Sequence, residues 1–142
     1  MRLKQISVFL ENRTGALGEA TAALEQANIN IRALSLADTA DYGVMRMVAD
    51  EPEAALTALK AAGFIASVAE VLAVSMADKP GAFHAIVQTL AEAGIPLEYS
   101  YAFVSPKGEG AFVVLRVQDN EKAQAVLEAK GFRSLYQHET GL

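Results

Sequence analysis

Glu11-Asn12-Arg13-Thr14-Gly15-Ala16-Leu17 is a polar loop between an alternating apolar segment and an alanine-rich one. It recurs at an offset of 66 as Ala77-Asp78-Lys79-Pro80-Gly81-Ala82-Phe83. In both copies a glycine stands where a strand should end and a helix begin. The first amides of a helix lack partners within it, and the helix dipole makes that end slightly positive. Such a turn can hold a carboxylate or phosphate on backbone donors, and a glycine lets the ligand come close. Most turns of this kind bind nothing; two of them in matching surroundings are informative.

The surroundings match along the whole chain. Ile6, Val8 and Leu10 alternate as in a half-buried strand, and Leu17, Ala20, Leu24 and Ala27 follow at helical spacing up to Asn28. Ile29 to Ala37 and Tyr42 to Val48 read as two strands about a turn at Asp38-Thr39-Ala40-Asp41. Asp50-Glu51-Pro52 opens a second helix that Gly63 closes, and Phe64 to Ala69 is a short last strand. This order, βαββαβ, then repeats. Leu72, Val74 and Met76 stand for Ile6, Val8 and Leu10, and Asp119-Asn120-Glu121 starts the final helix. A longer hairpin, Ser105 to Gly110, widens the offset to 68 at the closing glycines Gly63 and Gly131. The expected domains are 1–69 and 70–142.

Each unit suits a four-stranded antiparallel sheet with both helices on one face, a ferredoxin-like α+β fold, with the two units packed side by side. A sheet edge left bare invites pairing, and about 65 residues bury little surface alone. Pairing of Ile29–Ala37 with Ile95–Val104 is therefore expected. Tyr99, Tyr101 and Phe103 correspond to Ala33, Ser35 and Ala37. They either fill a seam against those small residues or cover an exposed sheet face.

Composition narrows the function classes. A net charge of −5 argues against nucleic-acid and anionic-membrane binding. With no cysteine, thiol redox chemistry and thiolate metal sites are excluded, and a reducing cytoplasm is the expected location. No signal peptide or membrane span is apparent. The two histidines, His84 and His138, do not form a metal pair, and no cofactor is expected. Arg46 and Arg116 occupy matching strand positions facing away from the helices, where solvent or a dimer interface explains them better than catalysis. Ser7, Ser35, Ser75 and Ser100 have no histidine nearby in sequence to activate them.

The loops Asn12-Arg13-Thr14-Gly15 and Asp78-Lys79-Pro80-Gly81, with the helix-to-strand turns Ala27-Asn28-Ile29-Asn30-Ile31 and Ala93-Gly94-Ile95-Pro96-Leu97, resemble a tandem pair of ACT domains. The resemblance spans essentially the whole chain. It implies a non-enzymatic regulatory protein that binds a free amino acid where two such domains meet. A homodimer or larger homo-oligomer and a regulated enzyme are the partners it suggests. The glycine loop of one domain and the start of the second strand of its neighbour would frame the ligand. Carried onto this sequence, the loop residues are Asn12, Thr14, Gly15, Ala16 and Leu17, and Asp78, Pro80, Gly81, Ala82 and Phe83. The facing residues are Ile29, Asn30 and Ile31, and Ile95 and Leu97. Thr14 stands where the family usually has proline. Pro96 replaces the counterpart of Asn30 and removes both a side-chain amide and an N–H, so the two sites should not be equivalent.

Two other classes fit the fold. An acylphosphatase-like hydrolase needs an arginine in an anion-cradling loop; Arg13 is available, but Lys79 takes its place in the second copy. An RNA-binding sheet could use Tyr99, Tyr101 and Phe103, against the net charge and without the usual glycine-aromatic pattern.

Overall fold

The computed structural model describes residues 1–38, 41–104 and 110–140, the side chain of Asp38 excepted. The expected turn residues 39–40 and hairpin residues 105–109 lie outside the described residues. The elements are β1 (Leu3–Glu11), α1 (Ala16–Gln26), β2 (Ile31–Asp38), β3 (Tyr42–Ala49), α2 (Pro52–Ala61), β4 (Ile65–Met76), α3 (Ala82–Glu92), β5 (Tyr99–Val104), β6 (Ala111–Arg116) and α4 (Asn120–Ala129). A 3-10 turn follows at Gln137–Glu139. The chain forms two compact units, Lys4–Glu70 and Val71–Leu142 with Met1–Leu3. The division falls inside β4, which is one strand of 12 residues rather than the two short strands expected.

In the first unit the strand order is β2-β3-β1-β4. Both described ladders are antiparallel, with Ile6 opposite Met47, Val8 opposite Met45 and Leu36 opposite Met45. Alternation puts Ile6, Val8, Leu10, Met45, Met47 and Ala49 on one face. There they pack against Ala16, Ala20 and Leu24 of α1 and Ala55 and Leu59 of α2. Alanines at the α1 contact let the helix lie close to the sheet. The second unit repeats the plan in the order β4-β6-β5. Leu72 and Val74 sit opposite Leu115 and Val113, beneath Ile86 and Leu90 of α3 and Ala123 and Leu127 of α4. Within its own unit β2 pairs with β3, and β5 with β6.

All four helices end in the same way. The second residue past each helix takes a left-handed conformation, at Asn28 (φ 59°), Gly63, Gly94 and Gly131. The next amide then reaches back to the helix, as in Ile29 N–H to the Leu24 carbonyl (2.9 Å) and Ile95 N–H to Leu90 (2.9 Å). Asn28 serves where its counterparts are glycine because asparagine tolerates this region better than other side chains.

The second unit departs from the repeat at its end. In place of the expected closing strand there are two isolated bridges, Val74 with Ser134 and Arg2 with Tyr136. Tyr99, Tyr101 and Phe103 are half-buried, and Phe103 stacks on buried Phe112 (centroids 5.8 Å apart), which also lies 5.1 Å from the Arg133 guanidinium.

Candidate ligand-binding site

Both loops are built alike. Gly15 (φ 91°) and Gly81 (φ 85°) precede α1 and α3 in left-handed conformations, and neither helix has a side-chain cap. Each loop closes on itself. Arg13 N–H donates to Glu11 and Ala16 N–H to Arg13, while Lys79 N–H donates to Ala77 and Ala82 N–H to Lys79. The helices are joined one residue further on, by Glu19 N–H to Gly15 (2.9 Å) and Ala85 N–H to Gly81 (3.0 Å). The intervening amides, Leu17 and Gly18 in one copy and Phe83 and His84 in the other, donate to no described backbone carbonyl. These are the orphan donors of a helix start, with the positive end of the dipole behind them.

A hollow of about 290 Å³ lies beside the first loop, lined by Asn12, Ala16 and Leu17 together with Leu36 and Gly43. Glu11 and Arg13 form another part of its wall. Thr14 and Gly15 are exposed next to it, and Ala16 is buried in the core. In the second copy Asp78, Pro80, Gly81 and Phe83 are exposed and Ala82 is half-buried. Leu36 and Gly43 were not legible as site residues in the sequence. Only the strand register, with Leu10 opposite Gly43 and Leu36 opposite Met45, brings them to the loop.

The facing residues are elsewhere. β1 leads to the loop at Glu11, opposite Tyr42, whereas Ile31 sits opposite Ala49 at the other end of β3. Seven residues of strand separate the two ends, about 23 Å. Asn30 and Asp50 are locked together there. Asn30 N–H donates to the Asp50 carboxylate (3.0 Å) and Asp50 N–H to the Asn30 carbonyl (3.1 Å). Ile29 is buried in the core, Asn30 exposed and Ile31 half-buried. In the second unit Ile95 and Leu97, with Val87, Leu90 and Pro96, line an apolar hollow of about 350 Å³ at the corresponding end. Within one unit, then, loop and facing segment do not meet.

Arg13 uses three of its five guanidinium N–H groups on carboxylates. Its guanidinium donates to both oxygens of Glu19 (3.1 and 2.6 Å) and to Glu11 (3.2 Å). The hydrogen bonds and charge of Glu19, then those of Glu11, raise its pKa. The same contact holds the Glu19 carboxyl below the usual range. The spacing of the loop residues gave no hint of this pair, because a separation of six is not a within-helix contact. His84 is exposed, and His138 is exposed with its ring stacked on Tyr136. Among the described residues, no group of three or more His, Cys, Asp or Glu side chains is placed to hold a metal ion. Nor is any helix long and apolar enough to cross a membrane.

The chain is a tandem of two ferredoxin-like units, each with a glycine-capped helix start at the end of its first strand. A family model described as ACT domain pair matches residues 1–139, and the chain belongs to that family. Protein BT0572 from Bacteroides thetaiotaomicron is similar over 99% of this chain and 96% of its own, with 35% identity and a TM-score of 0.91. The ligand-free regulatory subunit of aspartate kinase from Thermus thermophilus shares the fold (TM-score 0.68, 18% identity, 92% of each chain). So does a structure of aspartokinase alpha and beta subunits (TM-score 0.61, 19% identity, 90% of this chain and 91% of that one). Among curated proteins nothing matches the sequence.

Proposed function

We propose that this ACT pair is a non-enzymatic, cytoplasmic regulatory protein that binds a free amino acid between a glycine loop and the facing strand start of a different ACT unit. The observation that carries the reading is the pair of open amides at Leu17 and Gly18, matched at Phe83 and His84. They suit the carboxylate. Asn12, on the hollow, offers an acceptor for the ammonium, and Asp78 stands at the matching position. The hollow lies at the small end of the ~300–1,000 Å³ usual for ligand sites, a scale that favours an amino acid over a nucleotide. Since a unit's own loop and facing segment lie at opposite ends, a second unit must complete each site. β2 and β5, each paired with one strand within its own unit, offer a second edge that suits assembly of further copies. By analogy with the aspartate kinase subunits that share the fold, we assign an enzyme under regulation as the partner.

Asn30 and Pro96 make the sites unequal. The site facing Pro96 lacks the side-chain amide and is the weaker one in this reading. The hydrolase alternative requires a guanidinium available to an acyl phosphate, and Arg13 is spent on two carboxylates.

Thermal melts of the full chain against the twenty amino acids test the reading. A ligand at 100 times its Kd adds ~2.7 kcal/mol, a rise of roughly 5 °C or more for a chain of this size. The shift should shrink in Gly15→Val or Gly81→Val, by more in the variant that removes the stronger site, and vanish when both are changed. No shift with any amino acid, joined to hydrolysis of an acyl phosphate, would replace this proposal with the hydrolase.

A further inference from the structure

A hollow of about 430 Å³ in the first unit is separate from the one facing Leu36. It lies on the other side of Glu11 and Arg13, where the end of β1 meets the turn from α2 into β4. Phe9, Tyr42, Phe64 and Ile65 supply its apolar walls. Three of these are conspicuously wet for their size: Phe9 is 47%, Tyr42 46% and Ile65 73% exposed. Phe9 and Tyr42 pack as a tilted pair 6.1 Å apart. The polar lining is of one dominant sign. Among the described lining residues, Glu11, Glu19 and Asp41 stand with one cation, Arg13, a net lining charge of −2. The carboxyl end of α2 adds Ala62 and Gly63 to the wall, and that end of a helix is also partially negative.

From this hollow we infer a second binding site, for a small organic cation: an ammonium or guanidinium carried on an apolar or aromatic body. The apolar body covers Phe64 and Ile65. The cation lies against the carboxylates and the faces of Phe9 and Tyr42, where charge and ring quadrupole attract it together. An anion would meet net negative charge, and a neutral apolar molecule would leave the carboxylates unused. The inference does not rest on the amino-acid site. Asp41, Tyr42, Phe64 and Ile65 line only this hollow of the two.

The test is an amide NMR titration of the full chain with phenethylamine, alongside the neutral 2-phenylethanol and the anionic phenylacetate. Phenethylamine should shift the amides of Tyr42, Gly63 and Ile65 saturably, and added salt should weaken it. Asp41→Asn should weaken it about two- to fivefold, the worth of one partly exposed charge. Ala62→Lys should abolish it by placing a tethered ammonium in the hollow. That lysine sits at a helix end where a cation is favourable, so the rest of the spectrum should hold. Equal binding of 2-phenylethanol, or full binding by Ala62→Lys, would overturn the assignment. So would the absence of shifts at these amides up to about 10 mM, weaker than any useful affinity. Shifts confined to Leu17 and Gly18 would overturn it as well, while leaving the glycine-loop proposal standing.

Discussion

Arg13 and Glu19 form a two-pronged ion pair across the start of α1, with Nη2 2.6 Å from Oε2 and Nη1 3.1 Å from Oε1. Six residues separate them, so the bend at Gly15 is what brings them together. Arg13 thereby fixes the wall shared by the two hollows of the first unit.

The Glu19 carboxyl should titrate below the ordinary carboxylate range, and Arg13→Ala should return it to that range. A carbon-detected NMR titration of the glutamate side chains reads this directly. The sign follows from the depressed value: the contact favours the folded state above the ordinary pKa of a glutamate and is lost as pH falls through the lower, folded one. An unmoved Glu19 in Arg13→Ala would show that the pair does not persist in solution.

Acid should loosen the end of the second unit by the same logic. Burial pushes the Glu139 carboxyl up, but the Tyr136 amide (2.7 Å) and Arg133 (2.9 Å) more than offset it, and the net shift is downward. Glu139→Ala should cost about 1 kcal/mol near neutral pH, the usual worth of such a cap. Its deficit should shrink as pH drops below the ordinary carboxylate range. Chemical denaturation at several pH values measures both; a deficit independent of pH would mean the carboxylate charge is irrelevant.

The glycines should rank by surroundings. A side chain at Gly15 would meet nothing within 4 Å, so Gly15→Ala carries only left-handed strain, about 1–2 kcal/mol. At Gly110 the added carbon would stand 3.0 Å from the Met76 carbonyl oxygen as well as at φ 76°. Gly110→Ala should therefore cost at least ~2 kcal/mol. Urea melts of the two variants would show the order, and the reverse order would contradict the loop geometry.

Leu24 and Leu90 occupy the repeat offset of 66 and are both essentially buried, one in each core. Replacing either with alanine should cost about 2–5 kcal/mol. Amide exchange should speed up mainly in the unit that carries the change. Equal loss of protection in both units would show that they open as one.

Much of this was readable in advance, and the reasons are local. Apolar spacing and the glycines at 15, 63, 81 and 131 depend only on neighbouring residues, so the repeat, the helices and their ends followed from the sequence. Asn12 and Leu17 were readable as loop residues for the same reason, and both line the hollow beside Gly15. What escaped was set by register or by distant partners. Leu36 and Gly43 reach the loop only through strand pairing. Asp50, read as a helix start, spends its carboxylate on the Asn30 amide twenty residues away. The units divide at Glu70 as the repeat implies, but the strand does not break there, because Ala66, Val68, Leu72 and Val74 keep one parity through it.

The opening residues of the polypeptide serve its closing ones. Arg2 bridges to Tyr136 and donates to Gln124 of α4, whose amide in turn donates to Glu128 and the Tyr136 hydroxyl, while Gln137 N–H reaches the Met1 carbonyl. The repeats are therefore not two detachable cassettes. Severing the gene at Glu70 would strand this clasp on the wrong fragment, and a bulky fusion placed ahead of Met1 would press on the last turn of the chain rather than on the first unit.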